Sequence, residues 1–163
     1  MVIPIANKKR NSMKELIFIS MLFLPFSKTM AQKTASDSVK ATINHFFEGM
    51  KTGDTALIRS SLTEGVILQT MARSKEGTLT VKTENVNDFI SFIAKEEKGN
   101  ADERIEFKMI EIDGALASVW TPYKFYFKGQ FSHCGVNSFQ LVKTDGDWKI
   151  QYSIDTRRKQ GCE

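Results

Sequence analysis

Histidine is nearly absent from this chain: His45 and His133 are its two copies, far apart in sequence. A zinc centre needs clustered His, Cys or carboxylate ligands, so the sequence implies no metal, and nothing in it implies a cofactor. Also missing is any cluster of lysines and arginines interleaved with aromatics. A nucleic-acid surface would need a net basic face. Past the N-terminus, Arg157-Arg158-Lys159 is the one basic run, and it reads as a solvated strand end. There is no stretch of ~20 apolar residues, the length a membrane-spanning helix requires. Cysteine occurs twice, as Cys134 and Cys162.

What is present begins with the N-terminus. Lys8, Lys9, Arg10 and Lys14 precede an apolar run from Leu16 to Phe26, interrupted by Ser20 and Pro25, and then Ser27-Lys-Thr-Met-Ala-Gln32. A positive flank, a short apolar stretch and a small residue at the cut make a secretory signal peptide. Residues 1–31 are read as that signal, with cleavage after Ala31; an uncleaved anchor is the rival. Met13 starts an equally good signal, which leaves residues 1–12 open as an upstream extension of the reading frame. No cysteine follows the run, which argues against a lipoprotein. The segment holds five of the 23 basic residues and one of the 19 acids. The net charge of +4 therefore belongs to the signal, and residues 32–163, one domain by length, are balanced. The expected location is periplasmic or secreted, with no membrane contact after cleavage.

Export makes a disulfide between Cys134 and Cys162 permissible. It would close a loop of about 28 residues, worth about 3.5 kcal/mol in the chain-entropy picture, and staple the tail to a strand. The rivals are two inert thiols or a nucleophile. His133 adjoins Cys134, but consecutive strand residues point to opposite faces.

Apolar spacing predicts a helix over Ala35–Lys51, with Val39, Ile43, Phe46, Phe47 and Met50 on one stripe and Gly53 as its stop. His45 lies off that stripe and reads as a surface group. Asp54 caps a short second helix containing Leu57, Ile58 and Leu62. Strands follow near Val66–Met71 and Thr78–Lys82. Asn85 starts a third helix with Val86, Phe89, Ile90 and Ile93, ended by Gly99-Asn100. Beyond it the chain is strand-rich. Ile105, Phe107 and Met109 alternate, and then the phase switches to Ile110 and Ile112, as at a bulge or strand end. Ala115–Phe127 is a long strand whose Pro122 implies an edge or a bulge. The expected class is α+β, with about three N-terminal helices packed on a strongly curved antiparallel sheet.

Asp145-Gly146 forms the turn of a final hairpin. Pairing Lys143 with Trp148 sets Leu141 opposite Ile150, Phe139 opposite Tyr152, and Asn137 opposite Ile154. One face then carries apolar residues near the turn and His133, Asn137 and Tyr152 toward the open end, with Phe131 continuing it. Val119, Tyr123, Phe125 and Phe127 can join from the preceding strand. The functional reading is a pocket lined by Tyr123, His133, Asn137 and Tyr152; the plainer one is an aromatic core with a few satisfied polar groups. His133 suits proton transfer. Asp155 is its candidate partner, though this register sets the two on opposite faces unless a bulge follows Ile154.

Val39-Lys-Ala-Thr-Ile-Asn-His-Phe-Phe-Glu-Gly-Met-Lys-Thr-Gly-Asp54 resembles the first helix of the nuclear transport factor 2-like (SnoaL-like) superfamily, and Asp145-Gly-Asp-Trp-Lys-Ile150 resembles its last turn and strand. The first stretch is particularly similar to the bacterial branch labelled putative lumazine-binding. The resemblance spans residues 36–158 and implies a cystatin-like cone, often paired as a homodimer through the open face of the sheet. Members include isomerases, dehydratases, polyketide cyclases and epoxide hydrolases as well as non-catalytic binders. No stretch here matches their catalytic motifs, and one fold hosts many functions. The expected function is binding of a small apolar or aromatic molecule outside the cytoplasm. The alternatives are an enzyme of the same fold using His133 with Asp155 or Tyr123, and a dimerisation module without a ligand.

Overall fold

The computed structural model describes residues 26–74 and 77–162, with side chains from residue 34. The basic flank and most of the apolar run of the expected signal lie outside the described residues. The described chain holds three helices: α1 (Phe26–Thr52), α2 (Thr55–Ser61) and α3 (Val86–Ile93). It also holds seven strands: β1 (Leu62–Arg73), β2 (Leu79–Glu84), β3 (Ala101–Ile105), β4 (Met109–Asp113), β5 (Leu116–Phe127), β6 (Gln130–Thr144) and β7 (Asp147–Thr156). They form one sheet in the order β2-β1-β7-β6-β5-β3, with β4 also paired to β5.

The helix boundaries follow local chemistry. Gly53 takes a left-handed φ of 73° after α1, a conformation glycine adopts without a Cβ penalty. Asp54 then accepts from the Leu57 amide to cap α2, and Asn85 accepts from Asn87 and Asp88 to cap α3. Each such cap is worth about 1 kcal/mol. Met50, Phe46, Phe47, Ile43 and Val39 of α1 bury their stripe against the inner face of the sheet, beside Phe139, Leu141, Trp148 and Ile150. Phe47 meets Phe139 edge-on at 6.1 Å, and Thr42 donates to the Trp148 carbonyl at 3.1 Å, so α1 is locked to the final hairpin by both packing and a buried bond.

The sheet departs from the expected pattern in three places. β1 and β7 run parallel; the other pairings are antiparallel. β5 is not an edge strand: β6 flanks it on one side and β3 with β4 on the other. Pro122 is tolerated because its missing donor falls opposite the break between β3 and β4, where the Glu106 amide donates to the Pro122 carbonyl. The expected strand end at the switch from Met109 to Ile110 falls earlier, at residues 106–108, and Met109 belongs with Ile110 and Ile112 on β4 rather than with Ile105 on β3.

The third departure concerns register. Lys143 pairs with Trp148 and Leu141 with Ile150, but Gln140 then pairs with Tyr152, leaving Gln151 as an extra residue. A bulge of this kind reverses which face each later side chain takes. Asn137 therefore lies opposite Asp155, and Phe139 opposite Ser153. A second bulge leaves Ser132 unpaired between Phe125↔His133 and Tyr126↔Phe131. It turns Phe131 away from the His133 face, against Tyr126, where it is 44 % exposed.

Candidate functional site

The helices cover the inner face of the sheet unevenly. Toward the β6–β7 turn the space is filled by Trp148, Ile150 and Leu141. Toward the other end it opens into a cavity of about 480 Å³, within the range of small-molecule sites. Its apolar wall is aromatic: Phe46 and Phe47 from α1, Phe89 from α3, and Phe125 and Phe139 from the sheet. Phe46 and Phe89 stack at 5.9 Å.

The polar end is built by β1, β3, β5, β6 and β7. Asp155 lies at its centre. Thr70 donates to Asp155 Oδ1 at 2.5 Å, Tyr123 donates to Oδ2 at 3.0 Å, and Arg157 Nε donates to Oδ2 at 2.9 Å. Arg157 Nη2 also donates to Thr70 at 2.7 Å, closing a ring of three side chains. The Tyr123 hydroxyl lies 3.0 Å from the Thr156 carbonyl as well. Burial and then the Asp155 charge push the phenol well above its ordinary range, so it stays a donor. For Arg157, burial works against the charge, but the Asp155 hydrogen bond and charge outweigh it and raise its pKa.

The neighbouring carboxyl is Glu103 on β3. Asn137 Nδ2 donates to its Oε1 at 2.8 Å, and no other protein group is bonded to it among the described residues. Burial, and to a lesser degree the charge of Asp155, push Glu103 up to about 7 although the Asn137 bond and Arg157 pull the other way. His133 projects between the rings of Tyr123, 5.7 Å away, and Phe125, 5.1 Å away. Burial, followed by the Arg157 charge, holds its pKa below the usual histidine value, so it is neutral at pH 7. Its Nδ1 lies 3.0 Å from the Ser132 hydroxyl.

Of the residues singled out from sequence, Tyr123, His133, Asn137 and Asp155 all line this cavity. Tyr152 does not: the bulge at Gln151 puts it on the outer face, where its hydroxyl donates to Gln69 at 2.8 Å. The same bulge brings Asp155 onto the face of His133, contrary to the simple register. The two are still not a hydrogen-bonded pair, since the Asp155 oxygens are occupied by Thr70, Tyr123 and Arg157. Glu103, Thr70 and Arg157 escaped the sequence reading. Glu103 could have been found by extending the Ile105 alternation back two residues, which sets it on the same face. Arg157 reads as one of three solvated charges, and nothing local separates it from Arg158 and Lys159.

The tail holds this corner in place. Cys134 and Arg158 exchange backbone hydrogen bonds at 2.9 Å each, and a disulfide joins Cys134 to Cys162 with a Cα separation of 5.7 Å. Gly135 permits the close approach: a Cβ there would sit 1.7 Å from the Thr156 carbonyl oxygen and 2.8 Å from the Tyr123 ring. Among the described residues, no group of three His, Cys, Asp or Glu could hold a metal ion, and no helix is long and apolar enough to cross a membrane.

Three helices against a mixed, open sheet that encloses a half-open cavity define an α+β cone of the nuclear transport factor 2-like class. The family model described as "Putative lumazine-binding" matches residues 34–152, and the chain belongs to that family. Similar solved structures share the fold at low identity. A nuclear transport factor 2-like protein of unknown function from Shewanella baltica superposes with a TM-score of 0.62 at 15 % identity, covering 78 % of this chain and 97 % of that one. A domain of unknown function with a cystatin-like fold from Nostoc punctiforme gives 0.57 at 16 % identity, covering 80 % of each. A putative scytalone dehydratase from Novosphingobium aromaticivorans gives 0.62 at 10 % identity, covering 80 % of this chain and 88 % of that one. No curated protein is significantly similar in sequence.

Proposed function

We propose that this is an exported binding protein that seats a small, largely aromatic molecule in the cone. The observation that carries this reading is the cavity itself: aromatic walls closing on one group of polar side chains. A merely structural cone would fill that space with Phe and Ile. The family description supports it in kind. The direct test is to purify the protein from its native host, denature it, and look by mass spectrometry for a stoichiometric small molecule. Recovery of one compound, lost when Asn137→Trp fills the polar end, is the expected result. An empty protein that binds no aromatic probe would end this reading.

An enzyme of the same fold is the second reading, and one observation favours it: a carboxyl near 7 in an aromatic cavity is suited to proton transfer. That carboxyl is Glu103, while His133 is held neutral. In an enzyme, Glu103→Gln abolishes turnover; in a binder, Glu103→Gln and His133→Gln change affinity only.

Export rests on the N-terminal residue pattern and is supported by the Cys134–Cys162 disulfide. N-terminal sequencing of the exported protein should begin at Gln32; a soluble cytoplasmic pool that keeps Met1 or Met13 would refute it. The same reading includes a homodimer through the outer sheet face, where Met109 and Trp120 pair across β4 and β5 and stand 44 % and 43 % exposed. Light scattering should give twice the chain mass, and Trp120→Lys should return it to the monomer.

A further inference from the structure

Charge is unevenly matched in the cavity. Glu84, Asp88, Glu103 and Asp155 line it against one cation, Arg157. Arg157 and Asp155 are bonded to each other and neutralise each other. His133, the other ionisable base on the lining, is held neutral by its surroundings, and the Tyr123 phenol stays protonated. What remains is an uncompensated acid field: Glu103 in the wall, with Glu84 of β2 and Asp88 of α3 at the rim. Glu103 has one oxygen bonded to Asn137 and its second oxygen without a protein partner among the described residues. Such a carboxyl is stabilised by whatever donor the ligand brings, and most by a charged one. The rings of Phe46, Phe89 and Phe125 supply the rest, since aromatic faces attract cations and stack on flat rings.

We propose that the cavity selects organic cations: a protonated amine on a planar aromatic body, its ammonium on the free oxygen of Glu103 and its ring among Phe46, Phe89 and Phe125. This rests on the cavity being a binding site and adds the ligand's charge and the residue that reads it. An anionic ligand is disfavoured, because the guanidinium that would receive it has its charge paired with Asp155 and its Nε and Nη2 on Asp155 and Thr70, while Glu103, Glu84 and Asp88 repel an anion from the same lining.

Three probes share one body and differ only in the head group: 2-naphthylmethylammonium, 2-naphthylmethanol and 2-naphthoate. Each is titrated calorimetrically into the oxidised protein at about pH 8, where Glu103 is mostly ionised. The amine should bind about tenfold tighter than the alcohol, as one hydrogen bond between charged groups provides, and the carboxylate weakest. Glu103→Gln keeps the Asn137 contact and should bring the amine down to the alcohol's affinity while leaving the alcohol unchanged. At about pH 5.5 the wild type should lose most of the preference as Glu103 takes up a proton. If the alcohol or the carboxylate binds as tightly as the amine, or if Glu103→Gln keeps the preference in a variant whose circular dichroism is native, the charge assignment is wrong and the cavity remains a binding site. If none of the three binds, the cavity reading falls, and this inference with it.

Discussion

On the wall made by β7 and the tail, Asp155 accepts from Thr70, Tyr123 and Arg157. On the facing wall, Glu103 accepts from Asn137 alone among the described residues. The two carboxyls share one cavity, yet the first is fully occupied by the protein and the second is left for something else. A satisfied buried network rigidifies a structure, whereas a half-satisfied carboxyl costs stability and is retained where a ligand uses it. The tail wall is thus read as scaffold and the β3 wall as the binding surface. Variants at the two should fail differently.

The largest effect should come from the tail. Replacing both Cys134 and Cys162 by Ser removes a cross-link over 28 residues, and should cost about 3.5 kcal/mol in urea denaturation. A loss near zero would mean the β6 pairing alone secures Arg157. Next, Asp155→Ala removes the acceptor of Thr70 and the carboxylate partner of Arg157, leaving Tyr123 only the Thr156 carbonyl and Arg157 only Thr70 among the described residues. Because the Arg157 side chain is 47 % exposed, water recovers part of the loss, and about 2.5 kcal/mol is expected rather than the full cost of breaking a buried pair.

Glu103→Gln should act in the opposite direction. The folded pKa of Glu103, about 7, lies above its unfolded value of 4.5. Its favourable contribution is therefore complete below about pH 4.5 and lost as pH rises through 7. At pH 8 the variant should be more stable than wild type by about 2 kcal/mol, and at pH 4 the two should agree. His133, shifted downward, gives wild type and variant alike a slope of the opposite sign, so the difference between them is what must be measured. A destabilised variant at pH 8 would place Glu103 with the scaffold. The smallest effect is Tyr123→Phe, which removes one donor from Asp155 and should cost about 1 kcal/mol with the amine preference intact.

Much of the architecture is written in local signals. Gly53-Asp54, Asn85 and Asp145-Gly146 mark a stop, caps and a turn because those positions demand particular backbone angles or acceptors. Tyr123, His133, Asn137 and Asp155 stood out as polar groups in apolar strands, and all four line the cavity. The rest depends on information that alternation does not contain. Side chains alternate alike in parallel and antiparallel strands, so the β1–β7 pairing leaves no local mark. The extra residue at Ser132 lies within a polar stretch and has no tell-tale glycine, which is why Phe131 looked like part of the inner face. Arg157 differs from Arg158 only in which way a strand end faces.

The bulge at Gln151 bears on how such a cavity can change over time. Upstream of it Trp148 and Ile150 face inward; downstream, Ser153 and Asp155 do. Were Gln151 drawn into the ladder as an ordinary paired residue, Tyr152 and Ile154 would turn inside and Asp155 would go to the surface, with no side chain altered. Deleting Gln151 would instead remove the bulge and leave Asp155 inside. A single codon gained just after the bulge, and paired in the ladder, would exchange a polar lining for an apolar one. In a lineage built on this scaffold, an insertion at that position is a shorter route to a new ligand than the several point substitutions needed for the same exchange.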